Sequence, residues 1–141
     1  MDNHYHVLVR LTDPNLSDGM RFVQTRYAFR FHRRHERQGR VFGERFHDRR
    51  VDGERHLVAA AAYTVLNPVR AGIVDRPEAW SWSSYRATIG TVDPPSFFDP
   101  TALLELLSTD LERARALYSE LVAREERGDS HQKPVTVTQP R

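Results

Sequence analysis

The sequence contains no cysteine among its 141 residues, and Lys133 is its only lysine. The missing thiols exclude disulfide bonds and cysteine-ligated zinc. Long hydrophobic runs are also missing, since stretches such as HLVAAAAYTVL are too short to cross a bilayer. No basic segment precedes the first apolar residues, which argues against a secretory signal peptide. These absences predict a cytoplasmic protein without membrane contact.

Positive charge is carried by arginine and is concentrated in one stretch of the chain. Between Arg21 and Arg55 there are eleven arginines and five acidic residues, whereas acids outnumber bases between Asp93 and Asp129. The planar guanidinium pairs with phosphate in bidentate fashion. The stretch therefore has two interpretations, a solvated helix surface or a surface that binds nucleic-acid phosphates.

The first third of the chain predicts a strand, a helix and a second strand. Side chains alternate over residues 4–11 as in a strand, so that His4 and His6 project to the same side. Helical spacing predicts an amphipathic helix over about residues 17–37. Its buried stripe is expected to consist of Met20, Val23, Tyr27 and Phe31. The segment VFGERFHDRRV, residues 41–51, predicts the second strand.

The remainder of the chain predicts helices. An alanine-rich helix is expected to follow Asp52 as its cap and to end before Pro68, because the residue before a proline avoids the helical conformation. Its small side chains suit close packing on a sheet. Residues 76–90 are predicted to be partly helical, and two more helices are expected over residues 101–110 and 111–125. This order indicates a small α+β domain, although two strands are too few for a stable sheet.

Four side chains suggest chemistry. Two imidazoles at positions i and i+2 of a strand can bind one divalent metal, although such pairs are more often surface or hydrogen-bonded histidines. Tyr63 and Asn67 lie four residues apart on the alanine-rich helix and share a face. An amide oxygen is a hard ligand for Mg²⁺ or Mn²⁺, and a tyrosine beside that metal can attack phosphorus. Core packing for Tyr63 and an Asx turn for Asn67 are the simpler interpretations of each residue alone.

Three segments carry the most specific patterns of the sequence, namely MDNHYHVLV, VFGERFHDRRV and YTVLNPVRAGIVDRPEAWSWSSYRA. In residues, order and spacing they resemble the corresponding blocks of the single-tyrosine HUH transposases, in particular the REP-associated tyrosine transposase branch. The first block resembles the family segment MPNHxHxLx, and the last resembles YIxLNPVRAGLVxxPExWxWSSY along its whole length. The resemblance covers roughly residues 4–90, and NPVRAG followed by WSSY is a specific combination.

The resemblance implies a fold, a site and a reaction. The implied fold is a ferredoxin-like antiparallel sheet with helices packed on it, followed by C-terminal helices. His4 and His6 match the metal-binding histidines of the family. Tyr63 matches the tyrosine that attacks DNA, and Asn67 matches the polar residue that completes the shell of Mg²⁺ or Mn²⁺. The implied reaction is transposase-like cleavage and rejoining of single-stranded DNA with hairpins, through a 5′-phosphotyrosine intermediate.

The same interpretation extends to DNA contacts and to domain organisation. The candidates for binding the DNA backbone are Arg33, Arg34, Arg45, Arg49, Arg50 and Arg70. Aromatic side chains can stack on bases, although packing against the sheet is favoured for the three in question, Trp80, Trp82 and Tyr85. The predicted organisation is a transposase core over residues 1–90, C-terminal helices over residues 91–127 and a disordered tail over residues 128–141.

The family has a strand, a helix and the start of the histidine-bearing strand upstream of the segment that begins here at Met1. The expected sheet is therefore N-terminally truncated, either because a start codon is called too late or because the copy is genuinely truncated. Two rival functions follow. One is an inactive DNA-binding remnant of such a transposase. The other is a metal-dependent hydrolase that uses His4, His6 and a further histidine such as His47, with Tyr63 only structural.

Overall fold

The computed structural model describes residues 4–128, and every regular element among them is helical. The elements in chain order are α1 (Leu16–His35), α2 (Glu54–Arg70), a 3₁₀ turn (Pro77–Ala79), α3 (Tyr85–Thr88), α4 (Thr101–Leu104) and α5 (Leu111–Glu126). None of these helices is long and apolar enough to cross a membrane.

The predicted ferredoxin-like antiparallel sheet, N-terminally truncated or otherwise, is absent from residues 4–128. Neither residues 4–11 nor residues 41–51 form a strand. A strand needs hydrogen-bonded neighbours for its backbone N–H and C=O groups, and an isolated pair of strands is marginal in water. The α+β prediction is therefore wrong. The apolar side chains of the first segment are exposed, namely Val7, Leu8, Val9 and Leu11.

The described residues divide into two compact units. One unit comprises residues 4–8 and 50–128 and contains α2 to α5, and the other comprises residues 9–49 and contains α1. The predicted division into residues 1–90, 91–127 and 128–141 stays a prediction. Apart from Gly128, the predicted tail lies outside the residues that the structure describes.

The larger unit is built on the packing of α2 against α5. α5 presents Ala114, Tyr118 and Val122, which are spaced four residues apart and therefore fall on one face. All three are at most 1 % exposed. The small side chains of Ala61 and Ala62 on α2 join the same core, so the alanine-rich face packs on a helix and not on the predicted sheet. The rest of this buried core consists of Val65, Leu66, Tyr85 and Leu104.

α2 continues through Pro68 to Arg70, whereas the sequence predicts that it ends before the proline. Proline has no N–H to donate to the carbonyl four residues earlier, which costs the helix one hydrogen bond near its end. The Pro68 ring is buried, and the Ala71 N–H donates to the Asn67 carbonyl at 2.9 Å. Packing and this closing bond offset the loss, and the extra residues keep Arg70 on the helix that carries Tyr63.

α1 confirms the predicted helix to within two residues at each end. The predicted buried stripe is wrong, because none of the α1 residues is buried and Val23 and Tyr27 are 57 % and 54 % exposed. Instead, partly exposed aromatic rings contact one another. The Tyr27 ring centre lies 6.1 Å from that of Phe31 and 5.6 Å from that of Phe42. Local helical spacing therefore predicts the bounds of α1 but not the burial of its side chains.

The N-terminus of α5 gives a test of helix capping. The Asp110 side chain accepts a hydrogen bond from the Arg113 N–H at 2.7 Å. Replacing a cap of this kind with alanine leaves a helix N–H without its partner and typically costs about 1 kcal/mol. We expect Asp110→Ala to lower the free energy of unfolding by that amount in urea titrations followed by circular dichroism. Asp110→Asn keeps an accepting oxygen and should stay within a few tenths of a kcal/mol of the unsubstituted protein.

The buried tyrosines predict how stability depends on alkaline pH. Burial raises the pKa of Tyr118, and the neighbouring Tyr85 raises it further. A folded-state pKa above the unfolded value of about 10 gives stability that is complete below that pH and is lost as the pH rises beyond it. We expect the urea midpoint to fall between pH 10 and 11 and to fall less in Tyr118→Phe. Equal losses in both proteins would contradict this assignment.

Candidate active site

The last two turns of α2 present three polar side chains at positions i, i+4 and i+7. Tyr63 is half-buried, Asn67 is 7 % exposed, and Arg70 ends the helix. The Asn67 Nδ2 donates to the Tyr63 carbonyl at 3.0 Å. Because the amide nitrogen makes this bond, Oδ1 is the Asn67 atom with the chemistry to ligate a cation.

The N-terminal residues 4–8 belong to the same unit as α2, and they bring His6 into contact with Tyr63. The His6 and Tyr63 rings meet edge to face with their centres 6.0 Å apart. The His4 and His6 rings also meet edge to face, at 5.2 Å. Both histidines are half-buried. The three residues predicted from distant parts of the sequence therefore form one cluster of rings, although no strand holds the histidines.

The environment of His6 favours its neutral form. Burial lowers the pKa of His6 below its ordinary value of 6.5, and the electrostatic effect of the neighbouring His4 lowers it further. A neutral imidazole has a lone pair that can ligate a metal or accept a proton, whereas the imidazolium has none. His6 is therefore ready to act as a ligand at neutral pH.

The two imidazoles are the candidate ligands for a divalent cation. Two rings that ligate one metal at about 2.1 Å have centres on the order of 5 Å apart, and the His4 and His6 ring centres lie 5.2 Å apart. Among residues 4–128 there is no group of three or more His, Cys, Asp or Glu side chains that could hold a metal ion. Asn67 lies one helical turn after Tyr63, whose ring contacts His6, and its Oδ1 is the further ligand that the sequence predicts for Mg²⁺ or Mn²⁺.

Arg70 is the cationic group of the cluster. Its Cζ lies over the Tyr63 ring, 4.9 Å from the ring centre, which is a cation–π contact. Its Nη2 lies 3.7 Å from Oε2 of Glu125 on α5. Arg70 lies seven residues after Tyr63, and it shares the helix with Tyr63 because α2 continues through Pro68. No sequence pattern indicates Glu125, because only tertiary packing brings α5 to the end of α2.

Comparison of the chain with protein-family models, with curated proteins and with solved structures gives no match. The resemblance to the single-tyrosine HUH transposases consequently stays a prediction made from the sequence.

The candidate DNA-binding arginines fall into both units. Arg50 and Arg70 belong to the larger unit, and Arg50 Nε pairs with Asp52 at 2.8 Å with both side chains well exposed. The other four belong to the smaller unit, where Arg45 Nη2 donates to the Ser17 hydroxyl at 2.8 Å. The remaining three are exposed, namely Arg33, Arg34 and Arg49. Arg70 contacts the Tyr63 ring.

The three candidate base-stacking aromatics divide by burial. Tyr85 is 2 % exposed, belongs to the α2–α5 core and lies 3.3 Å from the Ser119 hydroxyl through its own hydroxyl oxygen. Trp82, in contrast, is 86 % exposed. Tyr85 therefore packs against helices and not against a sheet. Trp82 has the exposure that stacking on a base requires.

Proposed function

We propose that the protein is a transposase-like enzyme that cleaves and rejoins single-stranded DNA with Tyr63 as its nucleophile. The observation that supports this proposal is the contact between the His6 and Tyr63 rings, at 6.0 Å between their centres. The resemblance to the HUH transposases assigns these residues to one active site. The Tyr63 ring also contacts Arg70, and His4 contacts His6, so the residues implied by the resemblance lie in one chain of contacts.

In the proposed reaction the Tyr63 hydroxyl oxygen attacks the phosphorus of a DNA phosphodiester. A bond forms between that oxygen and phosphorus, and the bond from phosphorus to the 3′ oxygen breaks. The products are a 5′-phosphotyrosine and a 3′-hydroxyl, which takes up the proton that Tyr63 gives up. One ester replaces another, so the reverse attack by a 3′-hydroxyl rejoins DNA without an external energy source.

His4, His6 and Asn67 are the residues that would hold Mg²⁺ or Mn²⁺. When bound, the cation supplies Lewis-acid polarisation of the phosphate oxygens. The chain's own contribution is to hold the Tyr63 ring through its contacts with His6 and Arg70, which restricts the orientation of the attacking hydroxyl.

DNA is the proposed partner because the reaction needs a phosphodiester and because arginine dominates the positive charge of the chain. Guanidinium groups release counterions when they neutralise phosphates, so binding should weaken steeply as salt increases. The proposed substrate is single-stranded and forms hairpins, as the resemblance implies.

A cleavage assay on the full chain tests the proposal. Incubation with a 3′-labelled single-stranded hairpin and Mn²⁺ should transfer the label to the protein, in a band that survives a denaturing gel. Binding of DNA without cleavage would instead identify a DNA-binding remnant. Cleavage without a covalent band would identify a hydrolase in which Tyr63 is structural. Either result would contradict the proposed function.

A further inference from the structure

We propose that Glu125 is a positioning residue that holds Arg70 over Tyr63, where the Arg70 guanidinium binds a non-bridging oxygen of the phosphate under attack. This inference rests on the proposed function and adds to it the group that recognises the substrate's phosphate. It also gives α5 a part in the active site.

The position of Arg70 makes it suited to an anion at Tyr63. Its Cζ lies 4.9 Å from the centre of the Tyr63 ring. A guanidinium carries its N–H groups at the rim of its plane, where they can donate to an oxyanion. It has five such donors, and one carboxylate accepts at most two in a bidentate pair. Donors therefore remain for a phosphate oxygen beside the Tyr63 hydroxyl.

The end of α2 does not hold Arg70 in place by itself. Arg70 is the last residue of the helix and its side chain is 35 % exposed, so many of its rotamers would point into solvent. Pairing of Nη2 with Glu125 Oε2 at 3.7 Å restricts those rotamers. A contact of this length at a partly exposed site contributes little to stability, which makes orientation of the guanidinium its more important effect.

Glu125 in turn is fixed by the hydrophobic core. It follows Val122 by three residues on α5, and Val122 is 1 % exposed within the α2–α5 core. Its own side chain is 18 % exposed, which leaves it less freedom than the guanidinium it pairs with. The chain of contacts runs from the core through Glu125 and Arg70 to the ring of the proposed nucleophile.

The main test measures the rate of covalent adduct formation. Arg70→Gln should lower the rate about 10²-fold or more, as the loss of an oxyanion donor does in other enzymes. Arg70→Lys keeps the charge without the planar fork and should recover only part of the rate. Glu125→Gln should lower the rate about tenfold through misorientation. Matched controls are Arg76→Gln and Glu120→Gln, two exposed positions, which should leave the rate within twofold.

A charge swap separates positioning from a purely structural ion pair. The double variant Arg70→Glu/Glu125→Arg restores opposite charges across the contact but moves the guanidinium to α5. The inference predicts that the swap leaves thermal stability close to that of the unsubstituted protein and fails to restore adduct formation. Restored adduct formation would overturn the inference, as would unchanged rates in Arg70→Gln or Glu125→Gln.

A measurement of DNA binding tests the role of Arg70 without depending on DNA cleavage. In a Tyr63→Phe background, Arg70→Gln should weaken single-stranded DNA binding and reduce the slope of log K against log salt by about 0.7, the contribution of one phosphate contact. An unchanged slope would overturn the inference. If unsubstituted protein forms no adduct, the proposed function fails, and this slope alone then decides whether Arg70 binds phosphate.

Discussion

Tyr63→Phe is expected to abolish the covalent protein–DNA adduct while single-stranded DNA binding persists. The substitution removes one hydroxyl and keeps the ring, so the contacts with His6 at 6.0 Å and with Arg70 at 4.9 Å can remain. Without the hydroxyl there is no oxygen to form the bond to phosphorus, and the expected loss is complete. A denaturing gel with 3′-labelled hairpin DNA measures the adduct, and fluorescence anisotropy measures binding.

The matched control for this prediction is Tyr27→Phe, the same change at a tyrosine that is 54 % exposed on α1. It should form adduct at the rate of the unsubstituted protein. Circular dichroism should show equal helicity in all three proteins, because neither hydroxyl lies in the α2–α5 core. An adduct that persists in Tyr63→Phe would rule out Tyr63 as the nucleophile.

Removal of the metal or of a histidine is expected to have the second large effect. His6→Ala or chelation with EDTA should reduce cleavage by at least 10²-fold, because Lewis-acid polarisation contributes several kcal/mol to such reactions. His4→Ala should act in the same direction, since each histidine would supply one ligand. Mn²⁺ binding, followed by the loss of the free-ion electron paramagnetic resonance signal, should weaken in both variants.

His47→Ala distinguishes the proposed site from the rival hydrolase. His47 is exposed and belongs to the smaller unit. Cleavage and Mn²⁺ binding should therefore be unchanged in this variant. Loss of both activities on replacing His47, or full cleavage in EDTA, would contradict the assignment of the metal site to His4, His6 and Asn67.

The two long helices α1 and α5 were well predicted, and elements that depend on partners were not. The helix predicted over residues 101–110 ends at Leu104. α1 and α5 have clear helical spacing, and their predicted bounds agree closely with the structure. The strands at residues 4–11 and 41–51 were wrong, because alternation of side chains describes a strand only if other strands complete a sheet. Pro68 was expected to end α2, but burial of its ring and the Ala71–Asn67 bond extend the helix.

The candidate site was predictable only in part. Spacing along α2 places Tyr63 and Asn67 on one face from the sequence alone. Arg70 joins them only because the helix continues through Pro68, which the sequence did not predict. The proximity of the two histidines to Tyr63 was expected from the resemblance to a family, because no local pattern links residues separated by more than fifty positions. Glu125 was not predicted, since its contact with Arg70 follows from the packing of α5 on α2. Long-range packing is the information that single-sequence patterns lack.

The most direct test of Tyr63 chemistry is the mass of the modified peptide. Unsubstituted protein is incubated with single-stranded hairpin DNA and Mn²⁺, digested with a nuclease that trims the attached strand to one nucleotide, and cleaved with trypsin. Tandem mass spectrometry should locate a nucleoside monophosphate on Tyr63, in the peptide that extends from His56 to Arg70. A nucleotide on any other residue, or DNA cleaved with no modified peptide, would contradict the proposal that Tyr63 is the nucleophile.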